Sequence, residues 1–512
     1  GMMKGLKPIC LFLTLLLVAG MLAACGRGSG DDKNTNRTAE PVTVDESDPW
    51  GNFPEQLGVR DFGAEGKQFR IYTQIDDPAG FFPMSCDRSA EQTGATVPDA
   101  MFSRDMQMWE NYGIDISYER IGTKGDDGGA LRQTLITALL GGMDVCDMVT
   151  SNLSASILDL YTAGILYDCT SIPGMDMDHP WWASYFAEGA SFKGSLYYAA
   201  GMAAGGGFWG TAYAMICNLY LAQEVYPDGG TEPMDIFDLV NSGNWTLDTF
   251  YNIVRDYSRN LDGEGEFSVY QDLMAYAHVH GEITAACHFI AAGGKFSTLD
   301  ADGGIVTDCL FAESTVNLVE KLTTVFESIK SNYDHDAFFK KGEQVNAFLQ
   351  DRALFIGNSM TYVQNLTEMS HDYAIIPCPK ADTMQQNYYT GINPWSVGFL
   401  AIPYNIADPD YIGYATELLG YCSYYTVRPS LYDTILCKRL AKDPRQRAIM
   451  DTIYDYLYVD LNFLNNFAST QSILSNSIMD PSIVYSTRIN AVKTGLPLAI
   501  EKFERDISKS QK

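Results

Sequence analysis

The sequence predicts an α/β protein built on parallel strands. Short strand-like runs alternate with helical runs, the links between them are short, and glycines close the helices. Phe69-Arg70-Ile71-Tyr72 reads as the first strand. Asp99 to Tyr112 has the apolar spacing of an amphipathic helix and is stopped by Gly113. Ile114 to Tyr118 is a second strand, Ala130 to Leu140 a helix closed by Gly141-Gly142, and Val145 to Thr150 a third strand. Farther along, Trp245 to Ser258 and Thr315 to Lys330 read as helices. Thr246 caps the first of these, with Asp248 and Thr249 in its opening turn, and Trp245 goes to the core. The chain shows no internal repeat.

A leader precedes this body. Lys4 and Lys7 stand before an apolar run from Ile9 to Ala24. That run is shorter than the roughly 20 residues a membrane-spanning helix needs, and it fits a signal peptide covering 1–24. It ends in Leu22-Ala23-Ala24-Cys25, which resembles the lipobox of bacterial lipoproteins. Small residues suit a narrow cleavage site, and the thiol is the atom that is alkylated. The resemblance implies that Cys25 is the lipidated first residue of the mature chain, on the extracytoplasmic face of the cell membrane. The alternative is an ordinary secretory signal with an incidental cysteine. No later stretch is apolar enough to span a membrane. Residues 25–65 then form the lipidated cysteine and a flexible tether, polar and rich in Gly, Ser, Pro and Asp over 26–50.

Removing 1–24 from 512 residues leaves 488, enough for two or three domains. Losing Lys4 and Lys7 takes 35 basic residues to 33 against 64 acidic, a net charge of −31. So acidic a surface repels nucleic acid and anionic lipid, which excludes both as partners. Of the eleven cysteines, Cys10 leaves with the leader and Cys25 is lipidated. The odd remainder is widely spaced, with no C-x-x-C pair, and reads as buried free thiols acting as small apolar residues.

The order of segments resembles the extracellular solute-binding proteins of family 1, receptors of sugar-importing ABC transporters. The likeness runs from about Gly66 to Phe503 and rests on six pieces. Gly141 to Val149 is similar to the family's helix end and Asp-bearing strand, and Leu160 to Asp168 to the family's next segment. Asn218 with Leu219 to Val225 resembles the element that opens the second lobe. Gly243-Asn244-Trp245-Thr246-Leu247, Phe289 to Phe296, and Asp372 to Lys380 resemble three further pieces, in family order. The resemblance implies a two-lobed periplasmic-binding-protein-like fold of class II type, with the ligand cleft between the lobes. Lobe one would take 66–198 and 391–435, and lobe two 199–390 and 436–505. It further implies a monomeric receptor, not an enzyme. Such a receptor binds a neutral oligosaccharide or related small solute by lobe closure and delivers it to an ABC permease.

In open α/β sheets ligands sit beyond the carboxyl ends of strands, which selects the loops of interest. Gln74, Asp76 and Asp77 come after the first strand, and Thr150, Ser151 and Asn152 end the third. Gly357 to Tyr362, with Asn358 among them, comes after the run Leu354-Phe355-Ile356. By the resemblance these loops line the cleft, so Asp76, Ser151, Asn152, Asn358 and Tyr362 are candidate ligand contacts. Sugar recognition needs paired polar groups for hydroxyls and aromatic faces for the C–H side of the ring. For Ser151 and Asn152 the competing role is to cap the next helix. Trp209, in the glycine-rich Gly205 to Gly210, and Trp395, after Gly391-Ile392-Asn393-Pro394, supply the aromatic faces or else pack in the core. His278, His280 and Glu282 alternate, so on a strand they would share one face. No metal is expected there, and Glu282 is a candidate cleft residue by the resemblance.

Asn260 to Glu266 resembles a calcium loop, but Gln271 stands at position twelve, where a bidentate Glu is wanted. An acidic helix-terminating turn is the reading preferred, and no metal or other cofactor is expected. No G-x-S-x-G, H-E-x-x-H or P-loop motif occurs. Two alternatives stay open: a lipid-anchored glycan-cleaving hydrolase, and a receptor for a peptide or other non-sugar solute.

Overall fold

The computed structural model describes residues 48–74, 96–123, 126, 128–205, 207–227, 230–261, 263, 267–278, 281–329, 342–436 and 443–510. Two sheets organise them. The first has the order β2-β1-β3-β11-β4 and the second β10-β5-β9-β6. Their strands are β1 (Lys67–Gln74), β2 (Ile114–Ile121), β3 (Met148–Asn152), β4 (Ala199–Ala200), β5 (Tyr213–Asn218), β6 (Met274–His278), β9 (Ala353–Ser359), β10 (Tyr373–Ile376) and β11 (Val397–Ala401). A small ribbon, β7 (Thr298–Leu299) with β8 (Ile305–Val306), stands apart. The helices that shape the molecule are α1 (Thr96–Tyr112), α2 (Gly129–Leu140), α3 (Gly207–Thr211), α4 (Leu247–Val254), α5 (Gly281–Ala291), α6 (Glu313–Ser328), α7 (Pro409–Leu436), α8 (Arg445–Asp455), α9 (Thr470–Met479) and α10 (Gly495–Ser510).

β1 pairs in parallel with both β2 and β3, as the strand-helix-strand reading predicts. Alternate β1 side chains Phe69 and Ile71 are buried, which pins the register because a one-residue slip would expose both. Gly113 ends α1 at φ +63°, a conformation that costs glycine little. The third strand starts at Met148 rather than Val145. Asp147 breaks the run, because its carboxylate takes the Arg70 backbone N–H (2.7 Å) and the Arg70 guanidinium (2.7 Å). Beside the second sheet Thr246 caps α4 by accepting the Thr249 N–H, and Trp245 is fully buried with its indole N–H on the Pro377 carbonyl at 2.9 Å. Phe250, Tyr276 and Phe355 pack edge-to-face beneath it.

The two sheets meet at a junction of three adjacent segments. Residues 211–213 lead from α3 into β5, and 390–393 lead from β10 toward β11. The two form an antiparallel bridge, Ala212 with Ile392, held by Tyr213 N–H to Gly391 O at 2.9 Å and Asn393 N–H to Thr211 O at 2.8 Å. Residues 456–458 lie along the other side, bridging Thr390 to Leu457, with 2.9 and 2.8 Å bonds between Thr390 and its neighbours Tyr456 and Tyr458.

β11 carries a register shift between Val397 and Phe399, and the extra residue is Gly398 at φ +132°. A Cβ on Gly398 would overlap the backbone of Gly207 and Phe208 at the head of α3. Glycine is therefore required twice, by conformation and by space. Gly398→Ala should lower unfolding stability by at least about 2 kcal/mol, from positive-φ strain plus overpacking. A urea midpoint equal to that of the wild type would show that the junction tolerates the methyl group.

Candidate functional site

β1 and β3 are parallel, so Gln74 and the pair Ser151-Asn152 arrive at the same edge of the first sheet. Gln74 Oε1 accepts from Ser151 Oγ (2.6 Å), the Asn152 backbone N–H (3.1 Å) and Asn152 Nδ2 (3.0 Å). Ser151 and Asn152 are buried, and Gly128 closes the cluster. A Cβ on Gly128 would come within 2.9 Å of Gln74 Oε1 and 3.0 Å of Ser151 Oγ. Asn152 also caps the next helical turn, its Oδ1 accepting the Ala155 N–H at 2.9 Å. Asn152 thus does both, capping with Oδ1 and donating to Gln74 with Nδ2, while Ser151 turns to Gln74 alone among these partners.

The chain after β3 opens as a π-helical turn, Leu153–Ile157, and continues as a helix over Leu158–Thr162. A helix start in this position ordinarily offers free N–H groups to an anion. Here the Pro394 carbonyl takes the N–H of both Leu153 (3.0 Å) and Ser154 (3.1 Å), and Asn152 takes the next. The junction loop has filled the anion site. Trp395 follows Pro394 in the same loop, with its N–H on Asn393 Oδ1 (3.1 Å) and its side chain 53% exposed.

The second sheet repeats the logic. β6 and β9 run parallel and pair His278 with Gly357, so the ends of both strands share one edge. Gln344 is the organiser. Its Nε2 donates to the carbonyls of Ala277 (3.1 Å) and Gly357 (2.9 Å), and its Oε1 accepts from Asn358 Nδ2 at 2.8 Å. Asn358 Oδ1 accepts the Ser359 N–H at 2.7 Å, and the Ser359 and Thr361 hydroxyls meet at 2.8 Å. Burial pushes the Tyr362 phenol up to about 12, opposed by its hydrogen bond to Asn358. Glu282 is exposed in the first turn of α5, with its carbonyl on Ser475 Oγ of α9 (2.9 Å).

Of the residues singled out in the sequence, Ser151 and Asn152 therefore come together at one sheet and Asn358 and Tyr362 at the other, while Trp395 stands exposed in the loop before β11 and Glu282 in the first turn of α5. Asp76, Asp77, His280 and Cys25 lie outside the described residues, as do Asp262 and Glu264 to Glu266 of the calcium-like loop. That loop is cinched by Asp272, whose carboxylate accepts the N–H of Leu261 (2.9 Å) and Ser268 (2.7 Å). The alternation of His278, His280 and Glu282 on one strand face does not occur, because β6 ends at His278 and α5 begins at Gly281. Trp209 does not project from a flexible loop. It sits on α3, 4% exposed, with its ring 4.0 Å from that of Tyr454 and its carbonyl accepting the Tyr454 hydroxyl at 2.6 Å. α3 is short and buried because it must meet Gly398. Gln344 carried no signal in the sequence, and neither did the role of Gly128. Gln74 was expected in the loop after the first strand, and it is instead the last residue of β1.

Among the described residues, no group of three His, Cys, Asp or Glu side chains is placed to hold a metal ion, and no helix is long and apolar enough to cross a membrane.

No protein-family model matches the chain, and no curated protein does. Solved structures do. A cyclo/maltodextrin-binding protein complexed with maltotetraose superposes with a TM-score of 0.51 at 11% identity, over 88% of this chain and 98% of that one. The fold is that of a two-lobed periplasmic binding protein. The galacto-N-biose-/lacto-N-biose I-binding protein of an ABC transporter from Bifidobacterium longum gives a TM-score of 0.49 at 11% identity, over 88% and 99%.

Gln74→Leu should strand three buried donors at once. It is expected to cost about 2–4 kcal/mol of stability, since each unsatisfied buried group costs about 1–3 kcal/mol and the loop can relax toward water. Equilibrium denaturation reads this directly, and a loss below about half a kcal/mol would mean that Gln74 does not organise the cluster.

Proposed function

We propose that this chain is a lipid-anchored, extracytoplasmic substrate-binding protein of an ABC importer. In this reading it takes a neutral oligosaccharide between its lobes and hands it to a permease unchanged. The observation that carries the reading is the pair of strand-end clusters, one on each sheet, made of amides and hydroxyls. Uncharged groups that both donate and accept suit sugar hydroxyls, and the exposed Trp395 offers a ring face for the C–H side of a pyranose. The filled helix start after β3 favours an uncharged ligand over a carboxylate or phosphate. The maltotetraose complex with the same fold makes maltodextrins the first ligands to test. The contacts proposed for the ligand are Ser151, Asn152, Asn358, Tyr362, Glu282 and Trp395, with Asp76 from the loop after β1. Trp209 serves the junction. Lobe one is proposed to comprise 66–198 with 391–435, and lobe two 199–390 with 436–505. Cys25 carries the lipid.

A ligand at a hundred times its Kd adds about 2.7 kcal/mol to the folded state. A maltodextrin series should therefore raise Tm by several degrees and shrink the radius of gyration, and the sugar should be recovered intact. Trp395→Ala should weaken binding about tenfold, the scale of one aromatic contact. Recovery of cleaved sugar would replace this reading with a hydrolase, and a glycan library that leaves Tm unmoved would point to a non-sugar solute.

Cys25→Ser should move the protein from the membrane fraction to the soluble fraction. Detergent-dependent retention of that variant would remove the lipid from the account.

A further inference from the structure

A run of contacts outside the site lies along α7. This helix presents Tyr411, Tyr414, Tyr421 and Tyr425 on one face, at helical spacing. Residues 48–67 run down that face in the opposite direction. Tyr425 donates its hydroxyl to Asp48 (2.7 Å) and Tyr421 to the Gly51 carbonyl (3.1 Å). The Tyr414 hydroxyl accepts the Arg60 N–H (3.2 Å), and the Arg60 guanidinium lies 4.3 Å over the Tyr414 ring while pairing with Asp410 at 2.7 Å. Phe62 packs edge-on against Tyr411, and Lys67 covers that ring at 3.9 Å while reaching Asp408 at 2.6 Å. The contacts on the helix run from Asp410 to Tyr425, about 24 Å of its length.

Beneath this segment sits a node. The Glu417 carboxylate is fully buried and accepts four donors: the Asp176 backbone N–H, His179 Nδ1, and the indole N–H groups of Trp181 and Trp182, each within 2.8–2.9 Å. Those bonds orient the rings on which Trp50 and Phe53 rest. Trp50 lies 4.9 Å from His179, and Phe53 4.6 Å from Trp181. The neighbouring backbone ties into the first sheet through Ala183 N–H to Ala200 O (3.0 Å) in β4. Every contact named here belongs to the lobe of the five-stranded sheet.

We propose that residues 48–66 are a strap that fixes the exit point of the N-terminal leash on the lobe of β1–β3, making that lobe the held one and the other the moving one. The strap stands on the contacts above. Its consequence for closure rests on the receptor reading. A pull through the leash passes into α7 and never crosses the junction, so lobe two is free to swing toward a held partner.

Spin labels on non-natural side chains at Val59, Leu140 and Tyr226, all exposed, separate the possibilities in the full mature chain. The 59–140 distance in ligand-free protein should be a single narrow distribution. Replacing Trp50 and Phe53 together by alanine should broaden it at least twofold. A broad distribution in the unaltered chain overturns the strap, whatever any sugar does. With maltotetraose added, the 59–226 distance should shift while 59–140 holds. A shift of 59–140 with 59–226 fixed overturns the assignment of the held lobe. If the sugar moves neither distance, the receptor reading fails, while the strap is still decided by the ligand-free width.

Discussion

Three short segments lying side by side hold the two halves of the molecule in register, and the rest of the structure answers to them. Residues 211–213, 390–393 and 456–458 are joined by backbone hydrogen bonds alone, so their alignment does not depend on side-chain chemistry. Side chains police the space around them. A Cβ on Gly391 would meet Cys287 Sγ at 2.8 Å, which keeps α5 flush against the crossing. The same loop then supplies the Pro394 carbonyl that takes the N–H groups of Leu153 and Ser154 after β3, so the crossing and the start of that helix are fixed by one piece of chain.

The two strand-end clusters share a design: in each, one buried glutamine amide locks the neighbouring polar groups. Gln74 holds Ser151 and Asn152, and Gln344 holds Asn358 while tying β6 to β9. An amide can accept and donate at once, so each glutamine satisfies buried neighbours without bringing a charge that would need desolvation. Networks of this kind are rigid when complete and costly when broken, which suits groups that must keep their geometry while empty.

How far the sequence reveals this depends on the range over which each signal acts. The parallel part of the first sheet, β2-β1-β3, was legible because its strands and helices are short, periodic and ended by local glycines such as Gly113, whereas the antiparallel β11 joins it from far along the chain. Ser151, Asn152 and Asn358 were legible because strand ends can be counted and the carboxyl-end rule points at them. Trp245 was legible because it heads an amphipathic helix. Gln344 was not, since its role exists only where its helix passes across two strand ends. Trp209 is buried against Tyr454, more than two hundred residues away, and a glycine-rich neighbourhood read locally suggests the opposite. The polar composition that marks a leash hid the docked part of it from Asp48 onward. The matching cue, tyrosines at helical spacing over 411–425, stands in a different part of the chain.

Seven cysteines among the described residues are free, and they divide between the lobes: Cys146, Cys169 and Cys422 with the first sheet, Cys217, Cys287, Cys309 and Cys378 with the second. Burial pushes every one of these thiols up, Cys169 and Cys422 to about 12 and the less enclosed Cys309 to about 11. A thiol so protonated and enclosed scarcely reacts until the fold around it opens. Among the described residues the six buried thiols thus form a built-in set of clocks, Cys146, Cys169 and Cys422 with the first sheet and Cys217, Cys287 and Cys378 with the second. Their rates of alkylation would time the opening of each half separately, with no label added and no residue changed.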